Sequence, residues 1–205
     1  MPRFSREDID RYFDYGLFAP KRIVYIGSAK ENSDTEESGT DCVMSELAIK
    51  GITYLDTVSE KPIIIMMNNL GGEWAHGMAI YDTVVACRCH VTTIAVGNCC
   101  SMGSIILQAA DLRVISPNCV FLIHDGTESI TSHTRNVEAW AKEAKKERNR
   151  MYQIYYNKMK EKNPKITIKQ IEKLCTIDKI YSPQETIDVG LADELLQDIN
   201  FYVKE

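Results

Sequence analysis

The run Val96-Gly97-Asn98-Cys99-Cys100-Ser101-Met102-Gly103-Ser104-Ile105-Ile106-Leu107 changes character at its middle. The β-branched residues leading into it, Val91 to Val96, read as a buried strand, and an apolar helix is expected from Met102 to Ala110. A strand that turns directly into a helix puts one hydroxyl, that of Ser101, at a helix N-terminus. Unpaired backbone N–H groups and the helix dipole favour negative charge there. An oxyanion formed at a serine needs that setting. Read alone, a serine next to glycine before an apolar helix is a common N-cap.

Working outward, Val120 to Ile123 is a second apolar strand, and it ends on His124. By itself, a histidine closing a buried strand is more often a satisfied core or turn residue. Upstream, Pro62 to Met67 is a continuous apolar run closed by Asn68-Asn69-Leu70-Gly71-Gly72, a buried strand followed by a turn. Helices are expected over Cys42–Val58 and Trp74–Cys87, and a further strand over Leu112–Ile115. Strands alternating with helices argue for an α/β domain with a mainly parallel sheet. Sites in such sheets gather at the carboxyl ends of strands, where Gly71-Gly72, Ser101 and His124 all fall.

The flanks add three features. Residues 1–19 form an amphipathic segment carrying Tyr12, Phe13, Tyr15 and Phe18, ahead of a strand from Lys21 to Gly27. Ser28 to Asp41 is polar and acidic and reads as a surface loop. Val137 to Lys162 is long and charge-rich, with Trp140, Met151, Ile154, Tyr155 and Met159 at helical spacing, which suggests a projecting helix used in assembly. A shorter helix is expected over Ile166–Leu174. Ser182-Pro183-Gln184-Glu185 then carries the cap, first-turn proline and third-position glutamate of another helix start, which Gly190 ends.

Composition narrows the class. The 205 residues fit one domain, and a net charge of -5 argues against nucleic acid or an anionic membrane as partner. No apolar stretch approaches the ~20 residues of a membrane span, and the charged N-terminus lacks the apolar core of a secretory signal. Seven cysteines, two of them adjacent, make a poor disulfide framework and suit a reducing cytoplasm. Cys87-Arg88-Cys89-His90 does not have zinc-site spacing, so neither metal nor cofactor is expected.

An acyl-transfer serine requires a base, a group orienting that base, and donors for the oxyanion. Ser101 and His124 are candidates for nucleophile and base, and the glycine pair lets backbone N–H groups approach closely. At this point the residues resemble a known family. Asn68-Asn69-Leu70-Gly71-Gly72 followed by Ile80-Tyr81-Asp82-Thr83 resembles the N-S-P-G-G and I-Y-D-T stretches of the Clp protease proteolytic subunit. Gly97 to Gly103 resembles its G-x-A-A-S-M-G motif, and Pro117-Asn118 through Ile123-His124 its P-N-S-x-x-M-I-H motif. Asp178 to Glu185 with Gly190-Leu191-Ala192-Asp193 resembles the family's C-terminal D-R…S-A-x-E…G-L…D stretch.

The resemblance runs in unbroken order over residues 20–196. It implies Ser101 as nucleophile, His124 as general base and Asp178 as orienting acid, with Asp188 and Asp193 as the competing carboxylates. It implies the N–H groups of Gly72 and Met102 as oxyanion hole, and Gly71, Gly126 and Thr127 as peptide contacts. The implied fold is a crotonase-like stack of ββα units in a single domain over 1–205. Within it, 1–19 is an N-terminal segment, 20–125 and 176–196 a head, and about 126–175 a handle that joins two stacked heptameric rings around a chamber. Peptides are the implied substrates and an AAA+ unfoldase the candidate partner.

The chain also departs from the family. Gly126-Thr127-Glu128-Ser129 replaces P-x-G-G, Leu70 stands where the family has proline, and Cys99 and Cys100 replace alanines beside the nucleophile. Bulk added to either thiol is expected to crowd the site. The leading expectation is a serine endopeptidase. A non-catalytic subunit of a mixed ring and a crotonase-type acyl-CoA enzyme are the competing readings.

Overall fold

A computed structural model describes residues 4–27, 39–127 and 129–203. The first helix, α1 (Arg6–Tyr15), opens on a Ser5–Asp8 capping box and closes at Gly16, whose positive φ of 68° makes the left-handed cap. It leads into β1 (Leu17–Phe18) and β2 (Ile23–Ile26). Then follow α2 (Cys42–Val58), β3 (Ile63–Asn69), α3 (Trp74–Val85), β4 (Val91–Cys100), α4 (Met102–Leu107), β5 (Leu112–Ile115) and β6 (Val120–Ile123). The C-terminal part holds α5 (Thr134–Lys162), α6 (Ile168–Cys175), β7 (Lys179–Tyr181), α7 (Pro183–Asp188), β8 (Glu194–Leu195) and α8 (Ile199–Tyr202).

The strands form one sheet in the order β1-β2-β3-β4-β5-β8, and β6 and β7 branch from β4. All pairings from β2 to β5, and those of β4 with β6 and β5 with β8, are parallel. The parallel α/β reading therefore holds. The branch arises because β4 changes partner along its length. Thr92–Ala95 pair with Leu112–Ile115 of β5, whereas Asn98–Cys100 pair with Val120–Leu122 of β6. Gly97 lies between the two halves with φ 66°, and a Cβ there would meet Asn68 Oδ1 at 2.9 Å. The Asn98 N–H donates to that same oxygen at 3.0 Å, where β3 shifts register against β4. The expectation that β4 stops at Val96 is thus corrected: the strand bends at Gly97 and runs on to the residue before Ser101.

Most of the core lies between the sheet and α2–α5, with Ile26, Ile52, Leu55, Ile65, Met67, Ile106 and Phe121 essentially solvent-free. A smaller cluster of Ile64, Ile94 and Val114 occupies the other face, covered by Tyr202 and Val203 from the C-terminal turn. At 29 residues α5 spans about 43 Å. Its buried residues, Met151 to Met159, all lie in the second half. The first half is solvated and Trp140 is 60% exposed, so the helix projects. Most of the stretch expected as a loop from Ser28 to Asp41 lies outside the described residues. Of its described end, Thr40 bridges Gly72 and Asp41 caps α2. Among the described residues no helix is long and apolar enough to cross a membrane.

Candidate active site

Two strand registers bring the site together. In the parallel pair, Cys100 lies opposite Leu122, and the Ser101 N–H continues the ladder by donating to Leu122 O at 2.9 Å. The end of β4 is thereby held two residues from His124. In the antiparallel pair, Ile123 lies opposite Lys179, so His124 and Asp178 occupy the next position on their strands. The result is a line of hydrogen bonds: Ser101 Oγ to His124 Nε2 at 2.8 Å, and His124 Nδ1 to Asp178 Oδ1 at 2.9 Å. His124 is 27% exposed and Asp178 67% in their side chains.

Ser101 is held in an uncommon backbone conformation, φ 51° and ψ −120°. A non-glycine residue at positive φ costs about 1–3 kcal/mol and persists only where its surroundings determine it. Here the ladder bond holds its N–H. Its carbonyl accepts from Ser104 N at 3.0 Å and from Ser104 Oγ at 2.6 Å. This sharp turn aims the hydroxyl away from the helix: Ser101 occupies the N-cap position of α4 yet makes no side-chain cap bond. The capping alternative is thereby displaced, since the hydroxyl is spent on His124.

The glycine pair lies directly beneath. Gly71 and Gly72 have φ of 113° and 135°, a region closed to side chains. A Cβ at Gly71 would lie 2.5 Å from Ser101 Cβ, and one at Gly72 2.3 Å from Thr40 N. Asn69, fully buried, accepts from Gly71 N at 2.7 Å and exchanges bonds with the Thr40 hydroxyl. On the far side, Glu73 N donates to Thr40 O at 2.8 Å. Within the described residues the N–H groups of Gly72 and Met102 have no acceptor, and both residues line the cavity in front of Ser101. The glycine turn is braced from behind by a segment whose role the sequence did not reveal.

That cavity measures about 590 Å³ and is also lined by Glu73, Trp74, Ile105, Asp125, Thr127 and Met151, with Ser101 and His124 in its wall. Gly126 and Thr127 border it, while Gly71 packs under Ser101 and does not line it. Trp74, Ile105 and Asp125 were not singled out from the sequence, and Met151 was read as part of the apolar face of the long helix, whereas it lines this cavity. At helical spacing, apolar residues that line a pocket read the same as core.

The competing carboxylates lie elsewhere. Asp193 pairs with buried Arg113, accepting from its Nε at 3.0 Å and its backbone N–H at 2.8 Å. Asp188 accepts from Gln184 Nε2 at 2.9 Å on the surface of α7. Among the described residues no cluster of three metal-ligating side chains occurs.

Comparison with known proteins converges on one family. Residues 20–198 match the model for Clp protease. The ATP-dependent Clp protease proteolytic subunit of Deinococcus radiodurans is 30% identical over 191 residues, covering 91% of this chain and 86% of that protein. A solved ClpP1 mutant from Listeria monocytogenes superposes with a TM-score of 0.75 over 91% of this chain and 96% of its own, at 23% identity. The crotonase-like architecture expected above is therefore the observed one.

Proposed function

This chain belongs to the Clp protease family, and from that premise we propose that it is a serine endopeptidase working through Ser101, His124 and Asp178. One observation carries the reading: the Ser101 hydroxyl, at a helix N-terminus, is 2.8 Å from an imidazole whose other nitrogen is 2.9 Å from a carboxylate.

The chemistry follows from that line. His124 Nε2 takes the Ser101 proton as Oγ attacks the peptide carbonyl. Negative charge developing on the carbonyl oxygen is received by the N–H groups of Gly72 and Met102, reinforced by the N-terminus of α4. The imidazolium returns its proton to the departing amine, and water then cleaves the acyl-enzyme by the same route. Asp178 accepts from Nδ1–H, which selects the tautomer with a basic Nε2 and stabilises the imidazolium. Gly71 sets the turn, while Gly126 and Thr127 offer backbone to an extended peptide.

The same reading takes residues 1–205 as a single domain that assembles into heptameric rings, two of them stacked. The projecting half of α5 serves as handle between rings, and an AAA+ unfoldase feeds peptides into the chamber. Fluorophosphonate labelling of the purified protein tests the core of this reading. Wild type should label at Ser101 and cleave fluorogenic peptides. Ser101→Ala should lose both, by several orders of magnitude in rate, with the same mass by light scattering. Peptidase activity persisting in Ser101→Ala would overturn the serine mechanism.

A further inference from the structure

We propose that Asp125 makes the cavity beside Ser101 a pocket for a basic side chain, so that peptides are cut after lysine or arginine. This rests on Ser101 acting as the nucleophile proposed above.

The lining has two chemistries. Trp74, Met102, Ile105 and Met151 supply apolar surface, and the charged residues are Asp125 and Glu73. No lysine or arginine among the described residues lines the cavity. Asp125 immediately follows His124, so its position is tied to that of the base. Two bonds hold it in place: its N–H donates to Cys175 O at 2.8 Å, and its Oδ1 accepts from Tyr152 OH at 2.6 Å. Tyr152 is buried at the root of α5. A carboxylate has about four acceptor sites, so the Tyr152 bond fixes the group without using up its acceptors.

Among the described residues no cation pairs with Asp125. Arg148 influences Tyr152 through its charge, but it does not line the cavity.

Lysine and arginine match this lining in both parts. Their methylene stems can lie on the apolar surface while the cationic head reaches the carboxylate. The Trp74 ring offers a second favourable contact for the head. A leucine in the same place would cover Asp125 and exclude water from it with no partner in exchange, which is unfavourable. A glutamate would be repelled by both carboxylates.

The test uses the purified full chain in its assembled form and peptides differing only in the residue before the scissile bond: lysine, arginine, leucine or glutamate. Wild type should favour lysine and arginine over leucine by about 10- to 100-fold in kcat/KM. Asp125→Asn keeps an acceptor for Tyr152 and should collapse or invert that ratio. A ratio taken within one variant cancels any change in Ser101 reactivity. Benzamidine, whose binding requires no catalysis, reads the pocket directly. It should bind wild type and lose about tenfold or more in affinity in Asp125→Asn. Preference of wild type for leucine would overturn the inference while leaving the serine mechanism standing. So would a lysine-to-leucine ratio unchanged in Asp125→Asn. If Ser101 fails to react at all, benzamidine binding still decides the pocket, and absence of binding overturns it.

Discussion

Tyr155, fully buried on the long helix, is 2.7 Å from Ser104 Oγ, one turn after the candidate nucleophile. The single Ser104 hydroxyl proton goes to Ser101 O at 2.6 Å, so Tyr155 must be the donor. Burial pushes the Tyr155 phenol well above its ordinary range. A phenol buried as a neutral donor thus runs from the root of the projecting helix to the carbonyl of the strained serine.

Removing that donor should cost stability. Tyr155→Phe is expected to lose about 1 kcal/mol, or roughly 2–4 °C in melting temperature. Ser104→Ala should cost at least as much, since it removes both bonds. The double variant should be less destabilised than the sum of the two singles. Additive losses in a denaturation cycle would show that the two hydroxyls act independently.

Gly71→Ala places a Cβ 2.5 Å from Ser101 Cβ and 3.0 Å from Oγ, at a φ of 113°. The clash moves the turn that presents the Gly72 N–H. Fluorophosphonate labelling should fall by about two orders of magnitude, the usual cost of one oxyanion donor. Gly126→Ala is the strain control for stability: φ is 74° there, but no atom of the described residues lies within 4 Å of the added one. It should destabilise by only about 1 kcal/mol, measured by thermal unfolding, and Gly71→Ala by more.

Acid stability should depend on Asp193. Burial raises its carboxyl, but hydrogen bonds and charge from Arg113 outweigh that and hold it below the ordinary value of 3.8. Because the folded value is the lower one, the contribution is complete above pH 3.8 and is lost as pH falls through the folded value. Asp193→Asn should cost roughly 2–3 kcal/mol at pH 7, less than a fully buried pair because part of the Asp193 side chain is exposed. Denaturant unfolding across pH should show wild type and variant converging below that value. A constant gap down to pH 2 would rule out the linkage.

The adjacent thiols should be inert in the native state. Cys99 is solvent-free and its thiol donates to Gly103 O at 3.6 Å, Cys100 is buried, and burial raises the Cys99 thiol well above its ordinary range. The low thiolate fraction and lack of access both slow alkylation. A maleimide should modify exposed Cys42 first and leave peptidase activity intact. The expectation that added bulk crowds the site then applies only once the chain has opened. Rapid loss of activity with modification mapped to Cys99 or Cys100 would contradict the burial.

Much was legible in the residues. The alternation of apolar strands with helices marked a parallel α/β sheet because each burial pattern has its own period, local to a few turns of chain. Ser101, His124 and the glycine turn were legible for a similar reason: each lies at an abrupt change from apolar run to small or polar residue. Asp178 could be named only by resemblance, since it precedes a three-residue strand too short to announce itself. What only the tertiary structure decided were long-range pairings. The bend at Gly97 lets β4 serve two partners, and the Ile123–Lys179 register sets Asp178 against His124. Thr40 braces the glycine turn from 31 residues before Gly71, and Tyr152 fixes Asp125 across 27. Such contacts leave no local pattern, because hydrogen-bond partners distant along the chain are chosen by how the layers close, and an isolated threonine, tyrosine or aspartate looks the same in sequence wherever it lands.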